Sequence, residues 1–280
     1  MTIDEIREYQ LAQLELITMA DKLCAELNLT YYIIGGTLLG AVRHGGFIPW
    51  DPDIDIAMPR EDYEKLREHF ACNENDRYFY QHYSTEKNHF QAHALIRIKN
   101  SHVIFSSKGS RFKPVCDGIY LDIFPLDNAP LDKKLQEKQM KEIKRISKLI
   151  YLKSAKIYKT NNAFAIFAKY AVSMLLSPLT FNYLNRKRDK IMCKYNGKDS
   201  KYLVSMASHY SYWKQLMPSE IYGEPTKIQF EGLSLSAPAM TNDYLTRIFG
   251  DYMKLPPEDK RWMYLDVFQK IEYAPKEQYK

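Results

Sequence analysis

Apolar residues recur along this chain with two periods, and the switches between them divide it into elements. Leu16, Ala20, Leu23 and Leu27 repeat at helical spacing, which predicts a helix over residues 3–27. The capping box Thr2-Ile-Asp-Glu5 opens it, and it ends near Asn28. Tyr31–Ile34 has the composition of a strand. Gly35-Gly36 follow, then Thr37–Val42, which reads as the first turns of a helix with Thr37 near its cap. After Gly45-Gly46, the stretch Asp53-Ile54-Asp55-Ile56 alternates polar with apolar, so both carboxylates fall on one face of a second strand. Arg60 to about Ala71 is helical. Residues 77–83 and 91–107 contain strand-like runs, and Gly118–Phe124 is a further strand, closed by Pro125, Asp127, Asn128 and Pro130.

Past Asp132 the pattern changes. Leu135, Met140, Ile143, Ile146, Leu149 and Ile150 recur through a long helix to about Lys159. Residues 163–176 are the most apolar stretch, but Lys169 interrupts it and Pro178 ends it. A membrane span needs about 20 apolar residues, so a buried or interfacial helix is expected. Phe181–Tyr195 continues helical and basic. Thr226–Phe230 and Leu233–Ala237, joined by Glu231-Gly232, form a β-hairpin. A short helix runs from Thr241 to Gly250, and Pro256-Pro257 stops any continuation. The expected fold is α+β, a mixed sheet flanked by helices. It divides into a core over 1–131, a basic helical segment over 132–198, and a C-terminal hairpin-helix extension over 199–280 that packs on the core.

Composition adds three constraints. With 280 residues and 45% hydrophobic content, the chain can bury one sizeable core plus a helical appendage. The net charge of +6 is unevenly placed: residues 133–198 carry 17 Lys and Arg against Glu137, Glu142 and Asp189, which leaves −8 elsewhere. That segment suits anionic lipid, a polyanionic acceptor, nucleic acid, or a plain solvated face. Cys24, Cys72, Cys116 and Cys193 lack CxxC spacing, and Asp4, Glu5 and Glu8 stand where a secretory signal would be cationic and then apolar. Reduced thiols and a cytoplasmic location are therefore expected.

The chemistry concentrates between Tyr31 and Arg60. A Gly-rich helix start facing a carboxylate pair suits a phosphate compound carried on a metal ion: backbone N–H groups receive the phosphate, and the carboxylates take the metal. Asp53 and Asp55 cannot sit close together ionised without a cation, which implies Mg²⁺, with Mn²⁺ as the alternative. Asp122 is the third carboxylate, because an unpaired charge in the apolar strand LDIF is expensive. Asp127 is read as a loop cap. His89-x₃-His93 lacks the Glu of HExxH and is not read as a zinc site. No Gx₄GK[ST] or GxSxG motif occurs.

The glycines and the later DhD resemble the nucleotidyltransferase fold. More closely, GGTLLGAVRHGGFIPWD-x-DIDI-x-MPR-x-DY resembles the signature of the LicD family of phosphorylcholine transferases, akin to fukutin-related proteins. Weaker matches lie at Asp122–Asp127 and Tyr244–Pro257. Two departures stand out: Pro52 replaces the middle of three Asp after Trp50, and Arg261-Trp262-Met263-Tyr264 carries no His after the proline pair. The resemblance implies Mg²⁺-dependent transfer of phosphocholine, or of ribitol or glycerol phosphate, from CDP-choline or another CDP-alcohol to a hydroxyl of a lipid-linked glycan or teichoic-acid precursor. Asp53, Asp55 and Asp122 would be the catalytic and metal-binding residues, with Asp122 as proton acceptor. Gly36 and Thr37 would meet phosphate, and Arg43, His44 and Arg60 would neutralise the diphosphate. Such acceptors favour docking of the basic segment at the inner face of a membrane over nucleic-acid binding. Two alternatives stay open: a nucleotidyltransferase adding NMP to a small molecule or RNA, and an inactive relative that only binds.

Overall fold

The computed structural model describes residues 3–105, 114–154, 171, 174–198, 200–261 and 268–273. Helix α1 (Ile3–Glu26) crosses the sheet, and its Tyr9, Leu16 and Ile17 are completely buried. Thr2 and most of the apolar run 163–176 lie outside the described residues. Strand β1 (Tyr32–Ile33) leads into α2 (Gly35–His44), and β2 (Asp55–Pro59) leads into α3 (Arg60–Cys72). Three strands follow: β3 (Tyr78–Gln81), β4 (Ala94–Ile98) and β5 (His102–Phe105). The turn between β4 and β5 places Asn100 at φ 60°, a left-handed conformation that Asn tolerates.

Strand β6 (Tyr120–Asn128) is the spine of the sheet. The order is β1-β2-β6-β4-β3. Strands β2 and β6 pair in parallel, and their neighbours pair antiparallel. Pro125 does not close β6. It pairs in register with Met58, and the strand runs on until Asp127 and Asn128 pair with β7 (Tyr202–Val204), which in turn pairs β8 (Met217–Pro218). Nor is Thr37 near the cap of α2. The helix begins two residues earlier, at Gly35, with Ile34 at the capping position.

The basic segment supplies α4 (Lys133–Ser154) and α5 (Phe181–Met192), which pack together through Ile146, Ile150, Phe181 and Leu184. Short helices α6 (Tyr212–Gln215) and α7 (Ser219–Tyr222) precede the hairpin β9 (Thr226–Phe230) and β10 (Leu233–Ala237), whose register matches the sequence reading. Helix α8 (Thr241–Phe249) ends at Gly250. Strand β11 (Phe268–Glu272) pairs with β5. The hairpin and α8 bury Phe230, Leu235, Tyr244, Leu245 and Ile248 in the same core as α1 and the central strands. At roughly 1.5–3 kcal/mol per large apolar side chain buried, that contact fixes α8 over the start of α2. Among the described residues no helix is long and apolar enough to cross a membrane.

Candidate active site

The loop-to-strand step at Asp51–Asp55 is where sequence becomes site. Ile48 O accepts from Asp51 N–H (2.9 Å), and Gln10 of α1 donates to the carbonyls of Ile48 (3.3 Å) and Asp51 (3.0 Å). The segment is thus held from below while Asp51 and Asp53 reach upward. Asp55 opens β2 as the register partner of Asp122 on β6. The Asp55 N–H donates to Thr37 Oγ1 (2.8 Å), and its carbonyl accepts from Ile34 N–H (3.1 Å), which docks the start of α2 beside the carboxylates.

The approach is close enough to require both glycines. Gly35 sits at φ +56°, and a Cβ there would lie 3.1 Å from Asp55 Oδ2. A Cβ on Gly36 would overlap the Asp51 carboxylate. No acidic residue occupies the first turn of α2, so its positive end faces the carboxylates unopposed by its own side chains.

Asp51, Asp53, Asp55 and Asp122 line one cleft of about 560 Å³. Burial and mutual repulsion act together on them. Asp51 is pushed up to about 6 by burial, against the opposing effect of the Asp53 N–H. Asp53 is raised well above its ordinary value by burial and then by the charges of Asp51 and Asp122. Asp55 is raised by burial and then by Asp122, Asp53 and Asp51. A carboxylate cluster that resists ionisation lacks positive charge of its own.

The donor set suits a hard cation. Asp53 Oδ1 is buried without a hydrogen-bond partner, and oxygen ligands from carboxylates are what Mg²⁺ takes. Among the described residues, no three His, Cys, Asp or Glu side chains are already converged as a metal-binding group. Asp122 Oδ1 is instead drawn to His93 Nε2, at 2.9 Å.

The remaining expected residues separate into two groups. Gly36 and Arg43 line the cleft. Arg43 donates to Tyr252 O (3.0 Å) and to His44 Nε2 (3.0 Å), and its pKa is lowered by burial and by the nearby Arg261. Thr37, His44 and Arg60 do not line it. The Thr37 hydroxyl is buried and committed to Asp55 N–H. His44 packs edge-on to Trp50. Arg60 is buried and donates both prongs of its guanidinium to Asp127, at 2.8 and 2.7 Å. Asp127 is therefore the fully buried half of an ion pair and not a loop cap.

Several cleft residues escaped the sequence reading: Asp51, Gln91, His93, Tyr210, Lys254 and the face of Trp50. His93 lies four residues after His89, whose ring nitrogen Nε2 donates to the His93 carbonyl (2.9 Å). Arg261 lies over the Trp50 ring, 5.4 Å from its centroid. The cleft thus combines Asp51, Asp53, Asp55 and Asp122 with cationic and aromatic residues, and its C-terminal lining adds Tyr210, Phe249, Asp251, Tyr252 and Lys254.

Residues 28–145 match the domain described as "LicD/FKTN/FKRP, nucleotidyltransferase domain". The chain is 29% identical over 257 residues to the lipopolysaccharide cholinephosphotransferase LicD of Haemophilus influenzae, covering 91% of this chain and 93% of that protein. It is 56% identical over 35 residues to the human and mouse ribitol 5-phosphate transferase FKRP, covering 12% of this chain and 7% of those proteins. The Gly-Gly helix start and the carboxylates of the cleft thus lie within the stretch that resembles the nucleotidyltransferase domain of the LicD/FKTN/FKRP family, and the similarity to LicD extends over most of the chain.

Proposed function

We propose that this chain transfers phosphocholine, or a related phospho-alcohol such as ribitol or glycerol phosphate, from a CDP-linked donor to a hydroxyl of a cell-surface glycan or teichoic-acid precursor. The observation that carries the proposal is the cleft itself. Asp51, Asp53, Asp55, Asp122 and Asp251 line it, Arg43 and Lys254 stand on the lining with them, and Trp50 and Tyr210 add aromatic surface. Similarity over most of the chain to a cholinephosphotransferase supports the reaction class.

In this reading Asp53, Asp55 and Asp122 hold Mg²⁺, or Mn²⁺ in its place. Bound there, the metal supplies Lewis-acid polarisation of the phosphoryl oxygens. The protein's own groups do the rest. Gly36 and the positive end of α2 receive the diphosphate beside the carboxylates. Arg43 and Lys254 offset its negative charge. The acceptor hydroxyl attacks phosphorus, the bond to the CMP oxygen breaks, and CMP leaves with the electron pair. Asp122, oriented by His93, receives the hydroxyl proton. The aromatic surface suits a quaternary ammonium head group. The basic segment docks the protein on an anionic membrane or lipid-linked acceptor at the cytoplasmic face.

The test is product analysis. Incubation with Mg²⁺, an acceptor glycan and CDP-choline, CDP-ribitol or CDP-glycerol should release CMP from one donor. Release of pyrophosphate from a nucleoside triphosphate, with no CMP from any CDP-alcohol, would replace this reading with nucleotidyl transfer.

A further inference from the structure

The stretch His89–His93 carries two cleft residues, Gln91 and His93, yet it lies before β4 and has no strand partner of its own. Side chains of α5 hold it. Asn185 is completely buried, and its Nδ2 donates to His89 O (2.8 Å). Arg188 is 4% exposed and donates from Nη1 to Phe90 O (3.1 Å) and from Nη2 to Gln91 O. Nη2 also donates to Asn185 Oδ1, which ties the two clamp residues together. The neighbouring Asp189 accepts from Tyr83 Oη (2.6 Å), fastening α5 to the segment that precedes the loop. The His89 ring then bonds the His93 carbonyl, so the clamped carbonyls and the cleft residue form one unit.

We infer that Asn185 and Arg188 are positioning residues of the active cleft, acting through the backbone of His89–Gln91 on Gln91 and His93, and through His93 on Asp122. This rests on the transferase reading for its kinetic consequence, but not for its geometry. Three consecutive carbonyls are taken by two side chains on an element outside the domain match at 28–145. Carbonyls in a loop are normally left to water or to local turns. Burying a guanidinium is costly, and a rigid fork with several donors is what fixes adjacent carbonyls in one geometry. Helix α5 therefore supports the cleft through the loop beneath His93. His93 keeps its 2.9 Å contact with Asp122 only while the loop beneath it stays in place.

The experiment uses the full chain with Asn185→Ser, Arg188→Lys, His93→Gln and the double variant Arg188→Lys/His93→Gln. Lysine keeps the charge and one point of donation but cannot span two carbonyls. Asn185→Ser and Arg188→Lys should each lower kcat by about 10- to 100-fold, as misplaced catalytic groups do, with the donor KM within about threefold. Amide hydrogen exchange should quicken in residues 87–95 while β2 and β6 stay protected. The double variant should be no slower than His93→Gln alone. Faster exchange throughout the domain, an unchanged kcat with a loosened loop, or losses that multiply with His93→Gln would each overturn the inference. If the wild-type chain releases no CMP, the transferase reading fails by itself, and exchange alone decides the clamp: confined quickening at 87–95 upholds it, and none overturns it.

Discussion

Asp55 and Asp122 face each other as register partners where β2 and β6 run in parallel. Neighbouring strands lie about 4.8 Å apart, so two like charges are held side by side by the backbone ladder itself. Side-chain rotation cannot relieve this fully, because Asp53 and Asp51 stand on the same cleft. The sheet enforces a concentration of negative charge that a cation would relieve.

Asp53→Asn and Asp55→Asn should therefore each abolish transfer while preserving the fold, since each removes charge with little change in volume. Metal-assisted catalysis supplies several kcal/mol, so losses well beyond about 10-fold are expected. CMP release together with far-ultraviolet circular dichroism measures both halves. A loss under about 10-fold with intact structure would remove that residue from the metal site.

Stability of the metal-free protein should fall as pH rises. Asp51 titrates at about 6 in the folded chain, above its ordinary 3.8. The folded state thus binds more protons than the unfolded state between those values. The stability linked to this group is complete below about pH 4 and is lost as pH rises through about 6. Asp53 and Asp55 shift in the same direction, through burial and mutual repulsion, and add to the decline. Urea unfolding with chelator at several pH values should show the slope, and Asp51→Asn should flatten it.

Arg60 should prove structural. Removing one partner of a buried ion pair costs about 3–5 kcal/mol, so Arg60→Met should lower the urea midpoint sharply. Turnover per folded molecule should stay within about threefold, because Arg60 does not line the cleft. A large rise in donor KM at unchanged stability would return it to substrate binding.

Lys141, Lys144, Arg145 and Lys148 are all exposed on α4. Replacing the four with Gln should weaken binding to anionic liposomes, most at low salt. Turnover of a small soluble acceptor should hardly change. Equal liposome binding by both proteins, across salt concentrations, would leave these residues as a solvated face.

Pro52 is buried and is not among the residues lining the cleft. Pro52→Asp should accordingly place a carboxylate in a closed space and cost about 2 kcal/mol or more, without lowering the Mg²⁺ concentration needed for half-maximal rate. A metal titration beside an unfolding curve tests both. A lower Mg²⁺ midpoint at unchanged stability would show that position 52 contributes to the site.

Short-range patterns in the chain were enough to fix its local pieces. The amphipathic period marked α1, the Glu231-Gly232 turn set the β9–β10 register, and the Gly-Gly start followed by Asp-Ile-Asp marked the acidic cleft. These signals are legible because periodicity, turn chemistry and glycine tolerance act within a few residues of one another. Tertiary structure decided what depends on distant partners. Arg60 reads as a phosphate ligand until Asp127, 67 residues away, takes both its prongs. Thr37 reads as a phosphate contact near the start of α2 until the Asp55 N–H takes its hydroxyl. Strand β6 continues through Pro125 because β2 and β7 supply ladders on either side of the turn-like residues. His93 enters the cleft because β4 lies beside β6, and Asn185 and Arg188 reach its loop from 96 to 98 residues away. A side chain's identity sets what it can bond. Which partner it meets is decided by long-range packing, which no local pattern encodes.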